Sequence, residues 1–162
     1  MNAGKMIAHD SGYLETQTMG SYTGINAHEK SIILFDGVCN LCNGFVKFVI
    51  PRDRNNRFLF GALQENYSKN LLATFNLPSD KITTIVLIEK GKVYTQSDAV
   101  LRIAKQLDGV WKWSYAFIIL PKPARDWVYK LVAKSRYKIF GKRESCMIPT
   151  PELNQRFLHT DL

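Results

Sequence analysis

Two cysteines separated by two residues, Cys39-Asn40-Leu41-Cys42, follow directly on the run Ile32-Ile33-Leu34-Phe35 and the turn Asp36-Gly37. The apolar run reads as a strand buried on both faces. Phe45, Val46, Phe48, Val49 and Ile50 predict a helix after it, which Pro51 terminates because proline lacks the N–H a helix needs. The thiols therefore stand between a buried strand and a helix N-terminus, where unpaired amides and the positive end of the macrodipole favour a thiolate. A pair so placed can cycle between disulfide and dithiol.

The remaining elements follow in order. After the polar turn Arg52 to Asn56, residues Arg57 to Phe60 predict a second strand, and Glu65 to Phe75 a helix that Asn76-Leu77-Pro78-Ser79 breaks. Ile82 to Ile88 and Lys92 to Thr95 predict a hairpin across Glu89-Lys90-Gly91, with glycine supplying a positive φ. Ser97-Asp98 offers an N-cap for a helix through Ala99, Val100, Ile103, Ala104 and Leu107, closed by Asp108-Gly109. The order β, α, β, α, β, β, α, with the cysteine pair after the first strand, matches an α/β, thioredoxin-like three-layer fold with a mixed four-stranded sheet.

Beyond Asp108 the chain has more than such a domain needs. Trp111 to Leu120 is bulky and apolar, Pro121 and Pro123 punctuate, and Ala124 to Phe140 predicts a long helix. On it Trp127, Val128, Leu131, Val132 and Ile139 share one side, expected to pack onto the domain, while Lys130, Lys134 and Lys138 share another. Residues 111–143 thus form a C-terminal helical extension of a domain spanning 31–162, and residues 1–30 read as a flexible N-terminal extension.

Composition narrows the function. The 162 residues, 46% hydrophobic and 12% aromatic, suit one compact domain. The longest apolar stretch, Tyr115 to Leu120, is far short of the roughly 20 residues that cross a bilayer. Met1 to Lys30 lacks the apolar run of a signal peptide and the Arg-rich character of a transit peptide, so the expected location is cytoplasmic. Three cysteines there do not suggest a disulfide framework, and a CxxC in a reducing compartment is catalytic or metal-binding. The net charge of +8 is concentrated from Pro121 to Arg143, where eight basic residues face one acid, Asp126. That stripe is ordinarily a solvated face, but an acidic partner or a membrane surface would also suit it. Nucleic acid is not expected, since the aromatic residues of the helix sit on its apolar side.

Phe35-Asp36-Gly37-Val38-Cys39-Asn40-Leu41-Cys42 resembles the D-G-x-C-x-L-C signature of the DCC family of predicted thiol-disulfide oxidoreductases, also catalogued as domain of unknown function DUF393. Tyr94 to Ala104, Arg136-Tyr137-Lys138-Ile139-Phe140-Gly141 and Cys146-Met147-Ile148-Pro149 look like that family too. The resemblance runs from about Ser31 to Leu158 and implies thiol-disulfide exchange with a protein or small-molecule thiol or disulfide, without a cofactor.

Cys39, nearest the turn and the helix N-terminus, is expected to be the more exposed thiol and the nucleophile. Cys42, one helical turn on, is placed to resolve the mixed disulfide. Asp36 resembles the family's acid; it takes or relays a proton during exchange, or raises a thiol pKa by its charge, or binds backbone N–H groups of the turn. The uncharged Asn40 and Leu41 point to a moderately reducing pair. Where thioredoxins place a cis-proline facing the cysteines, Thr83-Thr84 stands here. Cys146 reads as a small apolar residue; the alternatives are a third redox thiol or, with His159, the completion of a zinc site on Cys39 and Cys42. A further alternative is an interaction module docking through the basic helix.

Overall fold

The computed structural model describes residues 30–78, 82–142 and 154–158. Strand β1 (Ser31–Phe35) turns at Asp36 into helix α1 (Asn40–Val49), and a 3-10 turn (Ile50–Arg52) accommodates Pro51 at its start. Strand β2 (Phe58–Ala62), helix α2 (Asn66–Thr74), the hairpin of β3 (Val86–Glu89) and β4 (Lys92–Thr95), and helix α3 (Gln96–Gln106) follow. A 3-10 segment (Gly109–Ile119), helix α4 (Lys122–Phe140) and a short 3-10 turn (Asn154–Arg156) come last.

The sheet has the order β2-β1-β3-β4. β1 pairs parallel with β2 and antiparallel with β3, and β3 pairs antiparallel with β4. The two-residue alternation of β1 divides the core. Ile33 and Phe35 join Val46 and Val49 of α1 and Ile103 of α3 on one face, whereas Ile32 and Leu34 join Leu71 and Leu72 of α2 on the other. Three layers result, in the thioredoxin-like arrangement the element order predicts. Burying each such side chain is worth roughly 1.5–3 kcal/mol, which makes β1, covered on both sides, the anchor of the fold. Cys39 and Cys42 belong to the cluster between the sheet and helices α1 and α3.

Several boundaries differ from expectation, each for a tertiary reason. β2 runs on through Gly61 and Ala62 because they pair with Leu34 and Phe35. Gly61 is required there: an added Cβ would lie 2.9 Å from side-chain atoms of both Leu34 and Tyr67. β3 starts only at Val86, because the preceding residues bond to α4 instead of the sheet. The Thr83 carbonyl accepts from Arg136, and the Tyr129 hydroxyl bonds Thr84 Oγ1 and the Ile85 N–H. The hairpin turns on Lys90 and Gly91 together, both at positive φ (50° and 73°), not on glycine alone.

Two expectations are corrected. Ser97 and Asp98 do not cap α3; the N-cap is Thr95, without a side-chain cap bond. Both residues instead tie α3 to α4: Ser97 Oγ donates to Asp126, and Asp98 pairs with Arg125 (2.8 Å) and Lys122 (3.1 Å). The apolar side of α4 does not pack on the domain either, with Trp127 65% and Ile139 68% exposed. The inward stripe is polar, formed by Arg125, Asp126, Tyr129 and Arg136, whose hydrogen bonds to α3, the β3 approach and the end of β1 decide which way the helix faces.

Candidate active site

Cys39 is the N-cap residue of α1, in extended conformation (φ −89°, ψ 120°), with no side-chain bond closing the cap. Its N–H donates to the Asp36 carbonyl (3.2 Å) and its carbonyl accepts from the Asn43 N–H (2.9 Å). The first-turn amides of α1 therefore open beside its sulfur. Cys42 lies one turn on, and the neighbouring Cys39 thiol acts to raise its pKa. Both thiols are free.

Cys39 is not the more exposed thiol: it is 0% accessible, and Cys42 4%. It is packed in the core cluster beneath α1, and the end of α4, about a hundred residues on in the chain, lies against its backbone. Lys142 pairs with Cys39 as an isolated β-bridge, and Asn40 Nδ2 donates to the Phe140 carbonyl (2.8 Å). Gly141, at φ 77°, lets the chain leave α4 and turn back against Cys39 and Asn40.

Asp36, at the end of β1, is buried. Its Oδ1 accepts from the Val38 N–H (3.2 Å) and Gln64 Nε2 (2.8 Å), which includes the turn-stabilising bond expected of an aspartate there. Its Oδ2 accepts from Arg136 Nη2 (3.1 Å) and from the Tyr137 hydroxyl. Arg136, 3% exposed, donates through Nη1 to the Thr83 carbonyl (2.5 Å), and that nitrogen stands 4.0 Å from Cys42 Sγ. The guanidinium thus links Asp36 and the residue preceding Thr84 to Cys42. Asn43, next to Cys42 and also buried, holds the turn by donating to the Gly37 carbonyl (2.8 Å).

The charges have readable effects. Burial pushes the Cys42 thiol up to about 12, helped by the hydrogen bond and charge of Cys39 and by Asp36, while Arg136 acts in the opposite direction. Burial would lower Arg136, but its bond to Tyr137 and the nearby thiols hold it above its ordinary value. Burial and the bond to Asp36 raise Tyr137. Chemically, this is a dithiol at a helix N-terminus, backed by a buried ion pair that favours charge beside Cys42 through one partner and opposes it through the other.

The turn and helix bring Cys39, Cys42 and Asp36 into one region, as their spacing predicts. Arg136, Tyr137 and Gln64 belong to the same cluster and carried no site assignment. The signal for the first two was the Arg136-to-Gly141 segment of the family resemblance, but Arg136 in sequence is one cation among several on a basic helix. Cys146, His159 and the N-terminal extension lie outside the described residues. Among the described residues, no group of three or more His, Cys, Asp or Glu side chains is placed to hold a metal ion.

The chain is similar to known proteins over the same region. It is 46% identical over 127 residues to the uncharacterised protein YuxK of Bacillus subtilis, covering 78% of this chain and 93% of the relative. It is 44% identical over 119 residues to a chloroplastic DCC family protein of Arabidopsis thaliana, covering 73% of this chain and 69% of the relative. No solved structure matches the chain. The sequence pattern of the DCC1-like thiol-disulfide oxidoreductases matches residues 33–142, an interval running from β1 through the cysteine pair to the Lys142 bridged to Cys39. The chain therefore belongs to the DCC1-like thiol-disulfide oxidoreductase family.

Proposed function

We propose that the protein exchanges electrons with a thiol or disulfide substrate through Cys39 and Cys42, with Cys39 as nucleophile and Cys42 as resolving thiol. The observation that carries this reading is the placement of Cys39 as N-cap of α1, one helical turn before a Cys42 thiol whose own proton is held by burial up to about 12. The Cys39 thiolate attacks a substrate disulfide, forming a mixed disulfide and releasing one substrate thiolate. The Cys42 sulfur then attacks Cys39 Sγ, closing the Cys39–Cys42 disulfide and releasing the second. Two electrons pass to the substrate, and the protons of Cys39 and Cys42 go to the two departing sulfurs. A second dithiol, or two molecules of a small thiol, then returns the pair to the dithiol and leaves as a disulfide.

Arg136 stands beside the sulfur that must ionise in the second step, and Asp36 and Tyr137 hold it there. Asp36 acts on the thiols through Arg136 and through its charge, as a positioning residue. Cys39 is buried and the Phe140-to-Lys142 segment lies against it, so we propose that this segment lifts to admit substrate. The cysteine usage suits a reducing compartment such as the cytoplasm.

Mass-resolved alkylation across glutathione redox buffers tests the reading. Cys39 and Cys42 should pair reversibly, and Cys42→Ser should accumulate a mixed disulfide on Cys39. If the pair stays reduced throughout, or if the adduct forms on Cys42 in Cys39→Ser but never on Cys39, the assignment fails.

A further inference from the structure

Among the described residues, the exposed large apolar side chains fall within Val110 to Phe140. They lie on two consecutive elements, the Gly109–Ile119 segment and α4, both packed against α3. Trp113 is 73% exposed and Trp127 65%, and Phe117, Ile119, Leu131 and Ile139 are more than half exposed. On α4 the inward stripe is polar, so the apolar stripe is left outside. An apolar surface this concentrated on a water-soluble fold marks a contact with something else.

The charges on the same surface say what. Lys112, Lys130, Lys134, Lys138 and Lys142 are exposed and engage in no ion pair among the described residues. The acid of these elements, Asp126, is already bonded to Ser97 and Lys122. On α4, Lys130, Lys134 and Lys138 flank the stripe of Trp127, Val128, Leu131 and Val132, leaving three stripes: polar inward, apolar outward, basic alongside.

We propose that this face docks on an anionic lipid surface, with α4 and the Gly109–Ile119 segment lying in the headgroup layer. Trp113, Trp127, Phe117 and Ile119 enter the acyl boundary, where amphipathic aromatic rings are favoured, and the lysines reach back to the phosphates. A second copy is a poor occupant, because a two-fold contact would bring this uncompensated positive charge against itself. No helix among the described residues is long and apolar enough to cross a membrane, so the contact is peripheral. Docking would set the end of α4, and with it the segment against Cys39, at the membrane surface.

The test uses the full reduced chain with vesicles of phosphatidylcholine alone or mixed with phosphatidylserine, read by co-sedimentation and tryptophan emission. Partition onto the anionic vesicles, with a blue shift and loss at high salt, is expected. At about fivefold per charge, Lys130→Gln, Lys134→Gln and Lys138→Gln together should weaken partition about 100-fold. Trp113→Ser with Trp127→Ser should abolish the blue shift. All of these positions are exposed, so circular dichroism should be unchanged. Cys39→Ser with Cys42→Ser should bind vesicles as the native chain does, which separates this result from the redox reading. Three results overturn the proposal: no partition onto anionic vesicles, partition indifferent to salt and to the lysines, or light scattering that shows a dimer with its tryptophans already shielded. Retention on an immobilised acidic peptide without vesicle binding also overturns it, in favour of an acidic protein partner.

Discussion

Asp36 and Arg136 are 100 residues apart in the chain and pair at 3.1 Å with both side chains almost wholly buried. Removing one partner of a buried pair strands the other as an uncompensated charge, at about 3–5 kcal/mol. Arg136→Leu should lose roughly that much in chemical denaturation at neutral pH, whereas Lys138→Leu, on the exposed stripe, should stay within about 0.5 kcal/mol of the native chain. Asp36→Asn has a chemical signature as well. It removes a charge that raises Cys42 and leaves Arg136, which lowers it. In a Cys39→Ser background, alkylation of Cys42 should therefore set in at lower pH once Asp36 is replaced. An unmoved profile would reduce Asp36 to its turn bond with Val38. The two cysteines and Asp36 were legible from local spacing, because a turn and one helical turn are enough to bring them together. Arg136 was not, since only long-range packing turns one of many cations on α4 inward.

At the scale of elements, α4 does more than extend the domain. Its polar stripe fixes where β3 begins, its first turns tie α3 through Asp98 and Ser97, and its end and the residues just after it lie against Asn40 and Cys39. Among the described residues, that segment is tied down by its bridge to Cys39 and by the bond from Asn40 Nδ2 to the Phe140 carbonyl. Asn40→Ala removes that bond without touching either sulfur, so Cys39 should alkylate several-fold faster in the reduced protein, as expected for losing a hydrogen bond worth about 1 kcal/mol. An unchanged rate would mean that the segment is held elsewhere. The helix was readable in sequence from its length and punctuation. Its orientation was not: the hydrophobic pattern argues for burying Trp127, Val128 and Leu131, and the native fold chooses the hydrogen bonds of Tyr129 and Arg136 instead.

For the molecule as a whole, the buried dithiol links redox chemistry to stability. Folding holds the Cys42 proton up to about 12 against an ordinary value of 9.0, so between those values the folded protein keeps a proton that the unfolded chain has lost. Stability from this source is therefore complete below about pH 9 and falls as pH rises towards about 12. The Tm of the reduced protein should decline over that interval more steeply than that of Cys42→Ser. With uncharged residues between the cysteines, the pair should titrate at a moderately reducing potential, and a value near about −120 mV, typical of strong oxidants, would refute that. The sequence by itself determined the strand, turn and helix that hold Cys39 and Cys42, and the order of elements that makes the mixed sheet, because these depend on local propensity and on the burial of β1 from both sides. Only the tertiary structure decided that both thiols are covered, that Arg136 supplies the charge beside Cys42, and that the apolar stripe of α4 faces outward. Each of these depends on a hydrogen bond or ion pair between segments far apart in the chain, where local periodicity carries no information.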